Sequence, residues 1–139
     1  MSDRRTLVAA ASAFIESYHV THYFTLTYPR RIGCEGRHKA VATWLDGLEW
    51  LQGRPLGWFR ADESRFSGLG FPEIPEHHHG LLVDTDHLSC RTAEHLWRQF
   101  GDALVERYEP QGGAIPYCLK HAFHNSEWAL GGKALRRCD

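Results

Sequence analysis

The sequence predicts an α+β domain in which helices pack on an antiparallel sheet. Three observations carry this. Apolar residues recur at helical spacing in three stretches, alternating or continuous apolar runs form strands between them, and the elements follow in the order helix, strand, helix, strand, strand, helix, strand, helix. About four to five strands are expected. At 139 residues the chain is read as one domain, 1–139, long enough to bury a sizeable core.

Residues 1–19 carry an N-terminal helix, with 3–18 helical and Leu7, Ala10, Ala11, Phe14 and Ile15 on one side. Glu16 and the absence of a small-residue cleavage site argue against a signal peptide. Residues 21–28 alternate β-branched and aromatic side chains and read as a strand stopped by Pro29. Residues 30–37, with Gly33 and Gly36, read as a basic loop. Val41, Trp44, Leu45, Leu48 and Leu51 define a helix over 38–52 that Gly53 ends. A second strand covers 56–63. Gly68, Gly70, Pro72 and Pro75 make 64–76 a loop, and 77–84 a third strand. Ala93, Leu96, Trp97, Phe100 and Leu104 predict a helix over 91–106, and the neighbourhood of Tyr108 a short edge strand. Pro116 opens a last helix of about 116–125, leaving 126–139 as a C-terminal tail.

Composition narrows the function classes. Sixteen basic and seventeen acidic residues leave a net charge of −1, so the molecule as a whole is no basic glove for nucleic acid. No apolar run is long enough to cross a membrane. Four scattered cysteines, without a Cys-x-x-Cys pair, favour neither a zinc knuckle nor a disulfide framework, and a reducing cytoplasm is the default expectation. Histidine is the outlier, with ten copies.

Three of these histidines are consecutive. On a strand His77 and His79 share one face and His78 takes the other, so two imidazoles on a rigid element offer half of a metal site. Glu63, at the end of the preceding strand, is the first choice for a third ligand. Asp62 beside it points to the opposite face, so one residue of register decides between them. Two imidazoles and a carboxylate suit Mn²⁺ or Mg²⁺ over a phosphate substrate, although Zn²⁺ or Ni²⁺ would bind such a set at least as tightly in vitro. On the last helix Tyr117 and Lys120, three residues apart, project together.

The ordered set resembles the HUH endonucleases, specifically the replication initiators of rolling-circle replication in plasmids and small DNA viruses. Phe24-Thr25-Leu26-Thr27 matches the family's first motif, His77 and His79 its His-hydrophobic-His motif, and Tyr117 with Lys120 its Tyr-x-x-Lys motif, over about residues 21–125. His78 departs from the apolar residue usual between the two histidines, which is accommodated if it faces a solvent-lined side. The resemblance implies a ferredoxin- or RRM-like HUH nuclease fold. It also implies a divalent metal on His77, His79 and Glu63, and attack of Tyr117 on single-stranded or hairpin DNA at a replication origin, with Lys120 assisting. The covalent 5′-phosphotyrosine product would preserve the bond for rejoining. Arg30, Arg31, Arg37 and Lys39 form a basic cluster expected at the DNA, and Lys133, Arg136 and Arg137 a second patch. Tyr23, Trp58 and Phe66 are candidate base stackers, although core positions are their commoner fate. Many family members continue into a helicase domain, so a helicase or host replication proteins are expected partners. The compartment is the cytoplasm, or the nucleus for a eukaryotic virus. Competing expectations are a related transposase or relaxase, a non-catalytic DNA-binding relative, and a zinc-binding structural protein.

Overall fold

The structure, a computed structural model, describes residues 4–30, 32–66, 72–122 and 127–135, with the side chains of 4, 63–66, 72–76, 120–122 and 127–128 left aside. In chain order the elements are α1 (Arg4–Glu16), β1 (Val20–Thr27), α2 (Cys34–Gln52), β2 (Gly57–Phe66), β3 (Pro72–Val83), α3 (Cys90–Trp97), β4 (Ala103–Arg107), α4 (Ala114–Ala122) and β5 (Glu127–Gly131). Single 3₁₀ turns lie at Pro110–Gly112 and Lys133–Leu135. The strands form one antiparallel sheet in the order β4-β1-β3-β2-β5. The expected α+β architecture, a sheet flanked by helices, is what the chain adopts. The run β1-α2-β2-β3-α3-β4, paired 4-1-3-2, is the split βαβ arrangement, with β5 added outside β2.

Strand periodicity divides the core into two layers. Even-numbered β1 and β3 residues, Phe24, Leu26 and Leu82, pack with Val41, Trp44 and Leu48 of α2 and Ala93 and Trp97 of α3. Odd-numbered Leu81, with Phe59 and Ala61 of β2, packs against Ile15 of α1 and Ile115, Cys118 and Leu119 of α4. β3 therefore lies between two helical layers. The first layer is rich in aromatic contacts: Trp44 meets Phe24 edge-on at 5.1 Å, and Tyr28 meets Trp97 at 5.3 Å between centroids. Both indole N–H groups find backbone carbonyls, Trp44 that of Ala93 at 2.8 Å and Trp97 that of Thr27 at 3.0 Å, which satisfies them in the interior.

Several element boundaries differ from expectation. α2 begins at Cys34, four residues before its expected start, with Gly33 as an extended N-cap, so residues 34–37 are helical instead of loop. Its predicted end holds: Gly53 adopts φ +70° and donates its N–H to Glu49 O at 3.0 Å. β2 and β3 run further than predicted, to Phe66 and from Pro72, so much of the expected 64–76 loop is strand. Pro72 is the first residue of β3, where a missing N–H is tolerated, and among the described residues this stretch pairs with β2 and not with β1. α3 stops at Trp97, and Leu104 is not an inward helical residue; it is 51% exposed on β4. The cause is Gly101, whose missing Cβ would lie 2.0 Å from Thr27 O. Backbone approaches backbone there to start the β4–β1 pair, and the edge strand is Ala103–Arg107, ending one residue before Tyr108. α4 begins at Ala114, two residues before Pro116, and the expected extension to residue 125 lies outside the described residues. The expected tail contains β5.

Candidate metal and nucleophile site

β1, β3 and α4 bring the expected residues to one face. Thr27, Leu26 and Thr25 of β1 stand opposite His77, His78 and His79 of β3. The odd-numbered members share the α4 side of the sheet. His77 and His79 meet edge-on with ring centroids 4.5 Å apart. α4 docks on the sheet through Ile115, Cys118 and Leu119, an i, i+3, i+4 stripe that is fully or almost fully buried. Tyr117 falls beside that stripe. Its ring is edge-on to His79 at 5.7 Å, while 46% of the residue stays exposed. The phenol is thus next to the imidazole pair and open to a substrate.

His79 is held by its neighbours on β1. Its Nδ1 lies 3.1 Å from the Tyr23 hydroxyl and 3.3 Å from Thr25 Oγ1, and the Tyr23 ring stacks parallel to it. A metal-ligating imidazole commonly donates its second N–H to an oxygen that fixes ring and tautomer. With Nδ1 engaged in this way, a cation would be taken by Nε2. The chemistry of the set, two imidazoles on one face with a supported ring, fits a divalent metal. Glu63 pairs with His77 in the β2–β3 register, which puts it at the position expected of the third ligand. Its side chain, that of Lys120 one turn beyond Tyr117, and Arg31 lie outside what is described. Among the described residues no three His, Cys, Asp or Glu side chains gather as a metal-binding group.

Asp62 stands opposite His78 and shares its face, away from α4. His78 does not face a solvent-lined side; it is 1% exposed in the α2/α3 layer. Burial is tolerated because both ring nitrogens are satisfied. Nδ1 donates to the Asp62 carboxylate, and Nε2 accepts from the Tyr28 hydroxyl at 2.6 Å. Burial pushes the His78 pKa down, more than the hydrogen bond and charge of Asp62 raise it. Burial alone would raise the Asp62 carboxyl, but the His78 hydrogen bond and the Arg60 charge hold it below the usual carboxylate range. Arg60 adds a 3.7 Å ion pair to Asp62 and donates from Nη2 to His38 Nδ1 at 2.6 Å. The sequence offered only that Asp62 and Glu63 point to opposite faces and that His78 opposes His77 and His79; Tyr28 and Arg60 carried no signal.

Other expected residues are placed as follows. Arg30 is exposed just past the end of β1, the end where Thr27 pairs with His77. Arg37 donates to Ile32 O at 2.7 Å, and Lys39 is exposed and pairs with Glu35 at 3.6 Å along α2. Tyr23 is partly buried, and its phenol is pushed up to about 12, chiefly by burial. Trp58 packs against the α2/α3 core beneath the Arg60 guanidinium, 5.4 Å from its ring centroid, and the Phe66 side chain is not described. An open groove of about 660 Å³ runs from Tyr117 and Tyr23 past Gly112 and Gly113 to Tyr108. Cys118, beneath α4, has its thiol pushed up to about 12 by burial, which makes it a packing residue. No helix among the described residues is long and apolar enough to cross a membrane.

No family model, curated protein or solved structure matches this chain.

Proposed function

We propose that this chain is a metal-dependent enzyme of the HUH class that nicks and rejoins single-stranded DNA, acting as a rolling-circle replication initiator. The observation that carries the reading is the placement of the Tyr117 ring 5.7 Å from His79, itself 4.5 Å from His77, on one face of the sheet. In this reading the Tyr117 hydroxyl attacks a phosphodiester. The bond from Oη to phosphorus forms, the bond from phosphorus to O3′ breaks, and the products are a 5′-phosphotyrosine and a free 3′-OH. The phenol, a weak nucleophile near neutral pH, needs its proton removed and its target held in line. Lys120 serves the first need or sets a cation beside the phosphate. Mn²⁺ or Mg²⁺ on His77, His79 and Glu63, when bound, would polarise a nonbridging oxygen and neutralise developing charge. The groove from Tyr117 to Tyr108 would hold the strand beside the phenol, its aromatic walls suited to unpaired bases. Arg30, Arg31, Arg37 and Lys39 would contact flanking phosphates. The enzyme would work wherever its origin is replicated, the cytoplasm or, for a eukaryotic virus, the nucleus.

The competing reading is a structural protein whose histidines serve stability, favoured by the complete burial of His78. Incubating the protein with labelled single-stranded DNA and Mn²⁺ and resolving the products on a denaturing gel separates the two. A covalent protein–DNA species is expected. Tyr117→Phe abolishes it with DNA binding retained, and His77→Ala or His79→Ala cuts turnover. An adduct that persists in Tyr117→Phe refutes the nucleophile assignment.

A further inference from the structure

The groove that ends at Tyr117 carries charge of the sign that a phosphate chain avoids. It opens over about 660 Å³ among Tyr23, Tyr108 and Tyr117, with Glu106, Glu109 and Arg107 also on its walls. Glu106 pairs with Tyr23 in the β1–β4 register and shares the α4 face with it. Burial raises the Tyr23 phenol most, and the charge of Glu106 adds to the rise, as their adjacency requires. Arg107 pairs with His22 on the other face, and its Nη1 donates to Asp86 O at 2.8 Å, away from the phenols. Among the described residues no hydrogen bond or ion pair holds the carboxylate of Glu106 or of Glu109, and both residues are exposed. α4 starts at the groove, but its first turn offers a phosphate little. Pro116 has no N–H, and the Tyr117 N–H is bound to Gly113 O at 3.0 Å.

We propose that this groove takes one unpaired base of the strand, guanine before the others, with the Glu106 carboxylate reading its edge between the tyrosine rings while the phosphates stay outside. The proposal rests on the reading of Tyr117 as the nucleophile, which makes the base a neighbour of the phosphate attacked and Glu106 a specificity-determining residue. A base is uncharged and has a π-face to lay on a phenol ring. An unpaired base also leaves its Watson–Crick edge free. On guanine that edge carries two parallel N–H donors, at N1 and at the exocyclic amine, spaced to meet both oxygens of one carboxylate, as a guanidinium does. Thymine has a single N–H there, and adenine and cytosine only the amino group. Glu106 is the reader because strand pairing with Tyr23 fixes its place. Glu109, beyond β4 at the start of a 3₁₀ turn, adds to the repulsion of phosphate.

The test measures binding, in the full chain carrying Tyr117→Phe so that no strand is cut, with Mn²⁺ present. The probes are short fluorescent oligothymidylates with one central guanine, hypoxanthine, adenine or cytosine, followed by anisotropy. The guanine strand is expected to bind about 10-fold tighter than the all-thymine strand, within the range of a bidentate base contact. Hypoxanthine, which is guanine without the exocyclic amine, is expected to lose most of that advantage. Adding Glu106→Gln is expected to tighten every strand, because a like charge is gone, and to abolish the difference between guanine and hypoxanthine. Three results overturn the proposal: no strand binds, the strands bind alike, or the guanine preference survives Glu106→Gln unchanged. The last, with a uniform gain in affinity, would leave Glu106 only a repulsive charge. A preference that depends on Glu106 without any DNA adduct in the unsubstituted chain keeps this base site and sinks the nuclease reading. An adduct without the preference does the reverse.

Discussion

Replacing Tyr23 by Phe removes one oxygen and keeps the ring that stacks on His79 at 6.3 Å and 10°. Two hydroxyls converge on His79 Nδ1, that of Tyr23 at 3.1 Å and that of Thr25 at 3.3 Å. When Nε2 takes the metal, Nδ1 carries the proton and donates it to one of them. Outer-shell partners of metal-bound histidines are worth roughly 10–100-fold in metal affinity. Because Thr25 remains as a second acceptor only slightly farther away, Tyr23→Phe is expected at the low end, a loss of about 10-fold or ~1.4 kcal/mol. Tyr23→Phe combined with Thr25→Val removes both oxygens and is expected to approach ~100-fold. The pair is non-additive, since each hydroxyl covers for the other. Calorimetric titration with Mn²⁺ measures both, with Tyr117→Phe as a control whose affinity is unchanged. A double variant that binds Mn²⁺ as tightly as the parent would refute the argument that β1 supports the ligand on β3.

Two further predictions concern stability. Gly80→Ala forces a methyl group into the Phe24 ring and the Phe59 carbonyl. Because one of these is backbone, the cost is expected at about 1–3 kcal/mol or above, read as a lower urea midpoint; an unchanged midpoint would contradict the close strand packing. His22 is fully buried, its Nε2 3.0 Å from Leu88 O and its Nδ1 2.7 Å from Thr85 Oγ1. Burial, then the Arg107 charge, push its pKa below the ordinary 6.5, against opposing contributions from the Leu88 hydrogen bond and Asp86. The unfolded chain therefore takes up the proton first. The His22 contribution is complete above pH 6.5 and declines as pH falls below it, at up to ~1.4 kcal/mol per pH unit. Urea unfolding of His22→Asn against the parent isolates this slope, and parallel pH curves would show that His22 does not supply it.

The elements most legible in the sequence were those with one clear period. Trp44, Leu45 and Leu48 marked α2, and the alternation of Phe24 and Leu26 with Thr25 and Thr27 marked both β1 and its two faces. Parity alone placed His77 and His79 together and Asp62 on the face opposite Glu63; the register that sets Asp62 against His78 came only with the fold. What failed did so where two periods met. Leu104 continued the helical spacing of Ala93, Trp97 and Phe100, yet it belongs to β4, because the approach of Gly101 to Thr27 ends the helical course. β5 is short, and the fit of Gly131 against the Trp58 ring is invisible in a linear pattern. Tyr28 and Arg60 were illegible as partners of His78 because their relation to it is purely tertiary.

β2 and β3 continue past the point where β1 ends, pairing with each other: Arg65 faces Ile74 and Phe66 faces Pro72. That two-stranded ribbon leaves the sheet at the level of His77. A register irregularity sits between Glu63 and Arg65, at the junction of this ribbon with the three-stranded part of the sheet. A change in the length of the arm therefore meets a break in the ladder before it reaches the imidazoles. Evolution can thus retune what this arm touches while inheriting the reactive centre intact, and a designer grafting a new arm would enjoy the same freedom.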